Sequence, residues 1–345
     1  MAQKLILENG SPLIGSPIVY GVTAASLANL DTVTFHRIKL KVTAGLQGGS
    51  YRDIIMSSPV EDGERIMIDI SSALRAVADD YVYTVEPPEH YPYIAFSLEA
   101  WDEYMQNGET HENVGVVKND GGRALFGGYS DLDRILSNGN KTTKRFSRKP
   151  QSYPELVVEG ETWIHPQDMV CTIGGITNGP SSVVHTLTID EDHPAGLREI
   201  DGIQVYVSER YNIDRYQFRF VNSLGCMESI GVYSLLSSKV NVSKEEYVRS
   251  GMETFSSFSR GIITKKNDYE TWALSSGPLT HEWQQWFLHE FLMARWVWIE
   301  INGSWLPCHI IPEETITAVD KTNSSVMSVS FSVRLDFNGS PYLSV

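Results

Sequence analysis

Along the first hundred residues, apolar and polar positions alternate with a period of two. Phe35 to Val42 places Ile38, Leu40 and Val42 on one face and Lys39 and Lys41 on the other, as a half-buried antiparallel strand requires. Tyr51 to Met56 reads as its partner, reached through the glycine-rich turn Gly45 to Gly49. Ile66 to Ile70 predicts another strand. Ser71 is placed to cap a short helix through Ala78, with Leu74, Val77 and Ala78 at helical spacing. Tyr93 to Tyr104 then alternates again.

The pattern changes between Asn107 and Pro150. Glycines recur here, with few apolar residues, and the cations Lys141, Lys144, Arg145, Arg148 and Lys149 close the stretch. That composition predicts a linker or extended arm that depends on a partner for order, with a domain boundary near Pro150. In an acidic chain, its basic run suits an acidic neighbour.

The second half returns to strands. Trp163-Ile164, Val170 to Ile173, Val183 to Ile189, Ile203 to Val207 and Tyr216 to Val221 are bounded by turn residues, as are Val232 to Leu236 and Lys239 to Val242. Phe218 to Gly225 reads as a strand entering a turn, with Asn222 and Gly225 shaping it. A helix is predicted from a Thr280 cap to about Arg295, with Trp283, Trp286, Phe287 and Phe291 on one stripe. A hairpin follows about Asn302-Gly303, the preferred type I′ pair, so that Glu300 faces Trp305 and Trp298 faces Pro307. Met327 to Phe337 alternates as a closing strand. No repeat period emerges. The fold expected is mainly β. Two antiparallel sandwich or barrel-like domains, residues 1–106 and 151–345, flank the 107–150 linker, with one prominent helix in the second.

Composition narrows the function. The chain has 345 residues, with 28 Lys and Arg against 43 Asp and Glu, a net charge of −15. Such a balance argues against a partner held by its phosphate backbone, other than nucleic acid passing through a ring lumen. The apolar run at the N-terminus breaks at Glu8, which predicts no signal peptide, and no run is long enough to span a membrane. The three cysteines, Cys171, Cys226 and Cys308, form no CxxC pair and read as reduced, buried thiols. Nucleophile elbow, phosphate loop and HExxH signatures are all missing, so no catalytic, cofactor or metal residue is nominated. The densest acidic cluster, Asp190 to His193, lacks the spacing of a calcium loop and reads as a solvated turn. The expectation is a protein that is not an enzyme.

Five of the eight tryptophans lie between Trp283 and Trp305. On the hairpin, Trp296, Trp298, Trp305 and His309 share one face, and Val297, Ile299, Leu306 and Cys308 share the other. The favoured reading packs Trp283, Trp286 and Phe287 against Trp296, Trp298 and Trp305, with part of the surface completing a subunit interface. The rival reading is a sugar-stacking platform on a carbohydrate- or receptor-binding protein.

Three segments carry a resemblance: Phe220-Val-Asn222-Ser-Leu-Gly225-Cys-Met-Glu228, Trp286 through Pro307, and Gly127-Gly-Tyr-Ser-Asp131-Leu. Together they resemble structural proteins from tail or baseplate gene clusters of tailed phages and prophages of gut bacteria. The resemblance implies β-sandwich domains that assemble into rings around a tail or neck axis, with no catalytic residue carried over. It thus implies a virion component assembled in the host bacterial cytoplasm, whose partners are its own copies and other virion proteins.

Overall fold

The alternation of the N-terminal third produces two sheets that share one core. The computed structural model describes residues 5–10, 13–27, 32–46, 48–79, 87, 93–128, 154–165, 185–200, 202–209, 214–248, 261–311 and 328–335. Strands β1 (Leu5–Gly10), β2 (Ile18–Thr23) and β5 (Arg65–Asp69) form a three-stranded sheet. A second sheet has the order β4 (Tyr51–Pro59), β3 (Val33–Leu46), β6 (Tyr93–Gln106) and β7 (Glu109–Leu125). Ile38, Leu40 and Val42 point inward with Phe96 and Leu98, and meet Ile18, Tyr20 and Val22 of the first sheet. Helix α1 (Ser71–Ala78) adds Leu74 and Val77 to this core. On the outer face, Lys41 pairs with Glu99 at 2.8 Å.

Two expectations change here. Ser71 does not cap α1 with its side chain. Asp69 does that work, since its Oδ1 accepts the amides of Ser71 at 2.9 Å and Ile18 at 3.1 Å. Its longer, charged side chain reaches both amides and ties the helix start directly to β2. Residues 109–125 do not belong to an arm either, because they form β7, paired antiparallel along β6. Their glycines mark bulges. Gly115 and Gly121 take φ of 65° and 70° where the β6–β7 register shifts, and a bulge tolerates that conformation only cheaply with glycine. Residues 129–150, including the basic run, lie outside the described residues.

The C-terminal half is built around a closed barrel. Its strands are β13 (Arg215–Val221), β14 (Met227–Val248), β15 (Gly261–Ser275), β18 (Ser330–Leu335), β17 (Ser304–Ile311) and β16 (Val297–Ile301), joined in that order. The two predicted segments 232–236 and 239–242 fuse into β14. Helix α2 (His281–Trp286) continues as a π-helical turn over Phe287–Phe291 and ends there, short of Arg295, so that the chain can enter the hairpin. Thr280 precedes α2, but its hydroxyl makes no capping bond. Beside the barrel, β8 (Glu155–Val158) pairs parallel with β12 (Ile203–Ser208), which also pairs with β11 (Gly196–Ile200). Strands β9 (Thr162–His165) and β10 (His185–Thr188) form a two-stranded sheet over the same small core, which holds Trp163, Val205 and Val207. The predicted strand 170–173 lies outside the described residues.

One crossing joins the two halves. Segments 13–16, 125–128 and 222–226 pass so closely that backbone meets backbone. Gly15 N donates to Gly127 O at 2.6 Å, Ile14 N to Leu125 O at 2.9 Å, and Gly128 N to Ser223 O at 2.9 Å. Gly225 takes φ +80°, and a Cβ there would overlap the Phe126 carbonyl. Gly127 takes φ +110°, and a Cβ there would overlap the Ser223 carbonyl. The Asn222 side chain holds the turn, accepting the amides of Leu224 and Cys226, each at 2.9 Å.

Two glycines of similar φ separate conformational cost from close approach. Gly303, at φ +78° in open space, should lose about 1–2 kcal/mol as Gly303→Ala, the ordinary left-handed penalty. Gly225→Ala adds a backbone clash and should lose about 3–5 kcal/mol. Urea unfolding of both variants measures the difference. Equal losses would show that the crossing has room to spare.

Candidate functional site: an aromatic seam and an acidic cavity

The hairpin adopts the predicted register, with Ile301 opposite Ser304, Glu300 opposite Trp305 and Trp298 opposite Pro307. Asn302 and Gly303 take φ of 51° and 78°, as a type I′ turn requires. Its two faces go to different cores. Val297, Ile299 and Cys308 face the barrel interior, where Trp283, Trp286, Phe287 and Phe291 of the helical segment meet Phe218, Phe220 and Phe331. The Phe291 ring lies 5.2–5.6 Å from those three, mostly edge to face. Trp296 and Trp298 point the other way, into the core of the N-terminal sheets, where Trp296 meets Phe126 at 4.6 Å.

The expected contact between the helix and the tryptophan face therefore does not form. Alternation on β16 sends Val297 and Ile299 to the side the helix occupies, and the N-terminal sheets cover the tryptophans instead. Trp298 is 1% exposed and Trp296 6%. Trp305 is half-buried, with the Arg219 guanidinium 4.2 Å from its ring centroid. Trp296 and Trp298 leave no open face for a sugar to stack upon. Helix and seam are tied by Glu290, whose carboxylate accepts the Ser223 amide at 2.8 Å and hydroxyl at 2.7 Å. Arg295, beside the hairpin, forms an ion pair with Asp79 at the end of α1. The described parts of the three segments of the resemblance, Gly127-Gly128, Phe220 to Glu228 and Trp286 to Pro307, meet at one junction, in roles of turn and packing, and residues 129–132 lie outside the described residues.

The turn of the hairpin also borders a cavity of about 760 Å³. Its walls come from β8, the 160–161 turn, the end of β12 and the start of β13. Its floor is an ion pair: Arg215 Nε and Nη2 donate to Glu161 at 2.8 and 3.1 Å, and Nη1 donates to the Tyr233 hydroxyl at 3.2 Å. The Val158 amide also donates to Glu161, at 3.1 Å. Burial nonetheless lifts the Glu161 carboxyl above its ordinary range, outweighing the guanidinium. Both its oxygens are engaged, so it is a fixed part of the wall rather than an acid–base group. Glu209, Asp214 and Glu300 add three more carboxylates to the lining, and Tyr216 and Tyr233 add aromatic surface.

None of these cavity residues stands out in a linear reading, because they come from four distant segments. One signal was present: Arg215, Gln217 and Arg219 alternate with Tyr216, Phe218 and Phe220, which marks a polar outer face on β13. Among the described residues, no group of three potential ligands is arranged to hold a metal. Asp190 instead accepts the Asp192 amide and pairs with the His193 ring, each at 3.0 Å, within its turn. Cys226 and Cys308 are buried and form no disulfide, and Cys171 lies outside the described residues. No helix among the described residues is long and apolar enough to cross a membrane.

Two measurements probe this geometry. Trp298→Ala should cost about 3–5 kcal/mol of stability, as large-to-small changes at buried aromatic sites do. Trp305→Ala should cost under about half as much, because that ring is only half-buried. Thermal unfolding compares them. The Glu161 carboxyl, raised in the fold, favours the folded state below about pH 4.3, and this contribution is lost as pH rises through the folded value. The stability advantage of the parent over Glu161→Gln should therefore shrink from about pH 4 upward. An advantage that grows with pH would mean the Arg215 pair outweighs burial. No family model matches the chain, and no curated protein matches it.

Proposed function

We propose that the chain is a self-assembling structural protein, a ring-forming tail, baseplate or neck component of a phage-like particle, with no enzymatic role. One observation carries the assembly reading. Beyond the barrel, β14 and β15 continue together as a two-stranded ribbon, from the pair Lys239–Thr271 to Val248–Gly261. Strand β18 accompanies only residues 271–275, and β13 pairs only with residues 227–233. Among the described residues, no third strand covers the ribbon. A two-stranded ribbon is marginal in water, and an uncovered strand edge accepts a strand from another molecule.

The phage assignment rests on the sequence resemblance. The chain would be assembled in a host bacterial cytoplasm and act in the virion, with its own copies and other virion proteins as partners. Light scattering coupled to size exclusion tests the reading. The full chain should elute as one defined oligomer. A shortened chain joining the cross-strand partners Asn241 and Tyr269 through a two-residue Asn-Gly turn should be a folded monomer. A monomeric full chain across the micromolar range would overturn the assembly reading.

A further inference from the structure

Strand β4 is an edge of its sheet, and among the described residues nothing pairs along its outer side. We propose that this edge docks a second copy of the chain, whose own β4 adds antiparallel across a two-fold axis at Ile55. The contact goes beyond the assembly reading, because it uses a surface apart from the ribbon. β4 pairs with β3 from Tyr51–Gly45 to Pro59–Arg37 without a bulge. The Val60 amide continues that ladder, donating to His36 O at 3.1 Å. Alternation in an antiparallel pair then turns the backbone groups of Arg52, Ile54, Met56 and Ser58 toward β3. Those of Tyr51, Asp53, Ile55 and Ser57 face the open edge. Pro59 belongs to the second set, where its missing N–H costs no ladder bond. No residue of β4 is buried, and Tyr51 and Ile55 are 59% and 58% exposed. Natural edges are ordinarily blunted by bulges, charges or short length. Here the middle of the strand, Ile54-Ile55-Met56, is regular and apolar.

The sequence of β4 selects its own copy as the partner. With Ile55 on the axis, Ile55 faces Ile55, Asp53 faces Ser57 and Tyr51 faces Pro59 on the outer side of the sheet. On the core side, Ile54 faces Met56 and Arg52 faces Ser58. Apolar meets apolar and polar meets polar throughout. An axis at Asp53 would set two carboxylates opposite each other, and one at Ser57 would set Asp53 opposite Glu61. Axes at Ile54 or Met56 would put Ile55 against Asp53 or Ser57. In the Ile55 register, Ile55 exchanges both backbone bonds with its copy, and Asp53 exchanges both with Ser57. Ile54 and Met56, which the N-terminal core covers only in part, are covered further. Such a self-complementary contact joins copies in pairs and does not continue into a filament. A strand edge about 30 Å long buries on the order of 600 Å² over both partners, below the roughly 1,000 Å² of a stable interface. A chain without the ribbon therefore stays monomeric at micromolar concentration, and the contact gains strength where copies already sit together.

Disulfide trapping in the full chain tests both the contact and its register. Residues on the axis lie about 5.5 Å apart at Cα, within the roughly 4.4–6.8 Å that a disulfide spans. Under mild oxidation with diamide, Ile55→Cys should give at least roughly tenfold more covalent dimer on non-reducing gels than the parent, whose own thiols set the background. Asp53→Cys and Ser57→Cys should each link no better than the parent, because each position lies about 13 Å from its own copy in this register. Mixed in equal amounts, those two variants should link to each other. All three positions are exposed, so each variant should keep the melting temperature of the parent. Ser57→Pro added to Ile55→Cys removes an amide from the open edge and none from the β3 ladder, and should return linkage to background. Parental linkage by Ile55→Cys would overturn the contact and leave the ribbon untouched. Equal linkage by all three single variants would show collision without register and would overturn it too, as would linkage that Ser57→Pro leaves undiminished.

Discussion

Backbone passing within hydrogen-bond distance of backbone is the constraint on which this molecule depends. Where segments 13–16, 125–128 and 222–226 cross, side chains would hold the strands apart, and glycines at 15, 127, 128 and 225 remove them. The closeness has consequences on both sides. It brings the Asn222 turn against Phe126, and Phe126 against Trp296, so the outer face of the barrel hairpin becomes part of the N-terminal core. Val221 N completes the link by donating to Trp296 O at 3.0 Å. Large apolar rings on the outside of a barrel would ordinarily mark a binding surface. Here they are already used.

That use redistributes function. Among the described residues, the β14–β15 ribbon and the acidic cavity at the Asn302-Gly303 turn are two surfaces that the buried tryptophans leave clear. Both lie on the C-terminal half. The cavity wall includes the hairpin turn itself, so the seam that fixes the hairpin also fixes one rim of the cavity. Glu290 extends the same coupling to the helical segment through Ser223. The assembly proposed above needs rigid interfaces, and the junction is the feature placed to supply that rigidity.

Much of the fold was legible because period-two alternation and turn chemistry are local. Strands β3, β4 and β6 follow from Ile38, Leu40, Val42 and their neighbours, and the hairpin register follows from Asn302-Gly303. Strand β7 was not legible, since Gly115 and Gly121 look like linker glycines unless their role in bulges is known. Which core each hairpin face would join was also hidden. Val297 and Trp298 are both apolar, and only barrel closure between β13 and β16 decides which of them points inward. The cavity was the least legible part, since Glu161, Glu209, Asp214 and Glu300 meet only through long-range topology.

The central claim is that the crossing welds the two halves into one cooperative unit. Native-state hydrogen exchange reads it most directly, through the amides of Ile14, Gly15 and Gly128, which donate across the three segments. The account predicts that these amides exchange as slowly as barrel-core amides such as those of Phe218 and Phe220, and that all of them speed up together on mild destabilisation. Fast exchange at Ile14 and Gly128 while the barrel stays protected would contradict it.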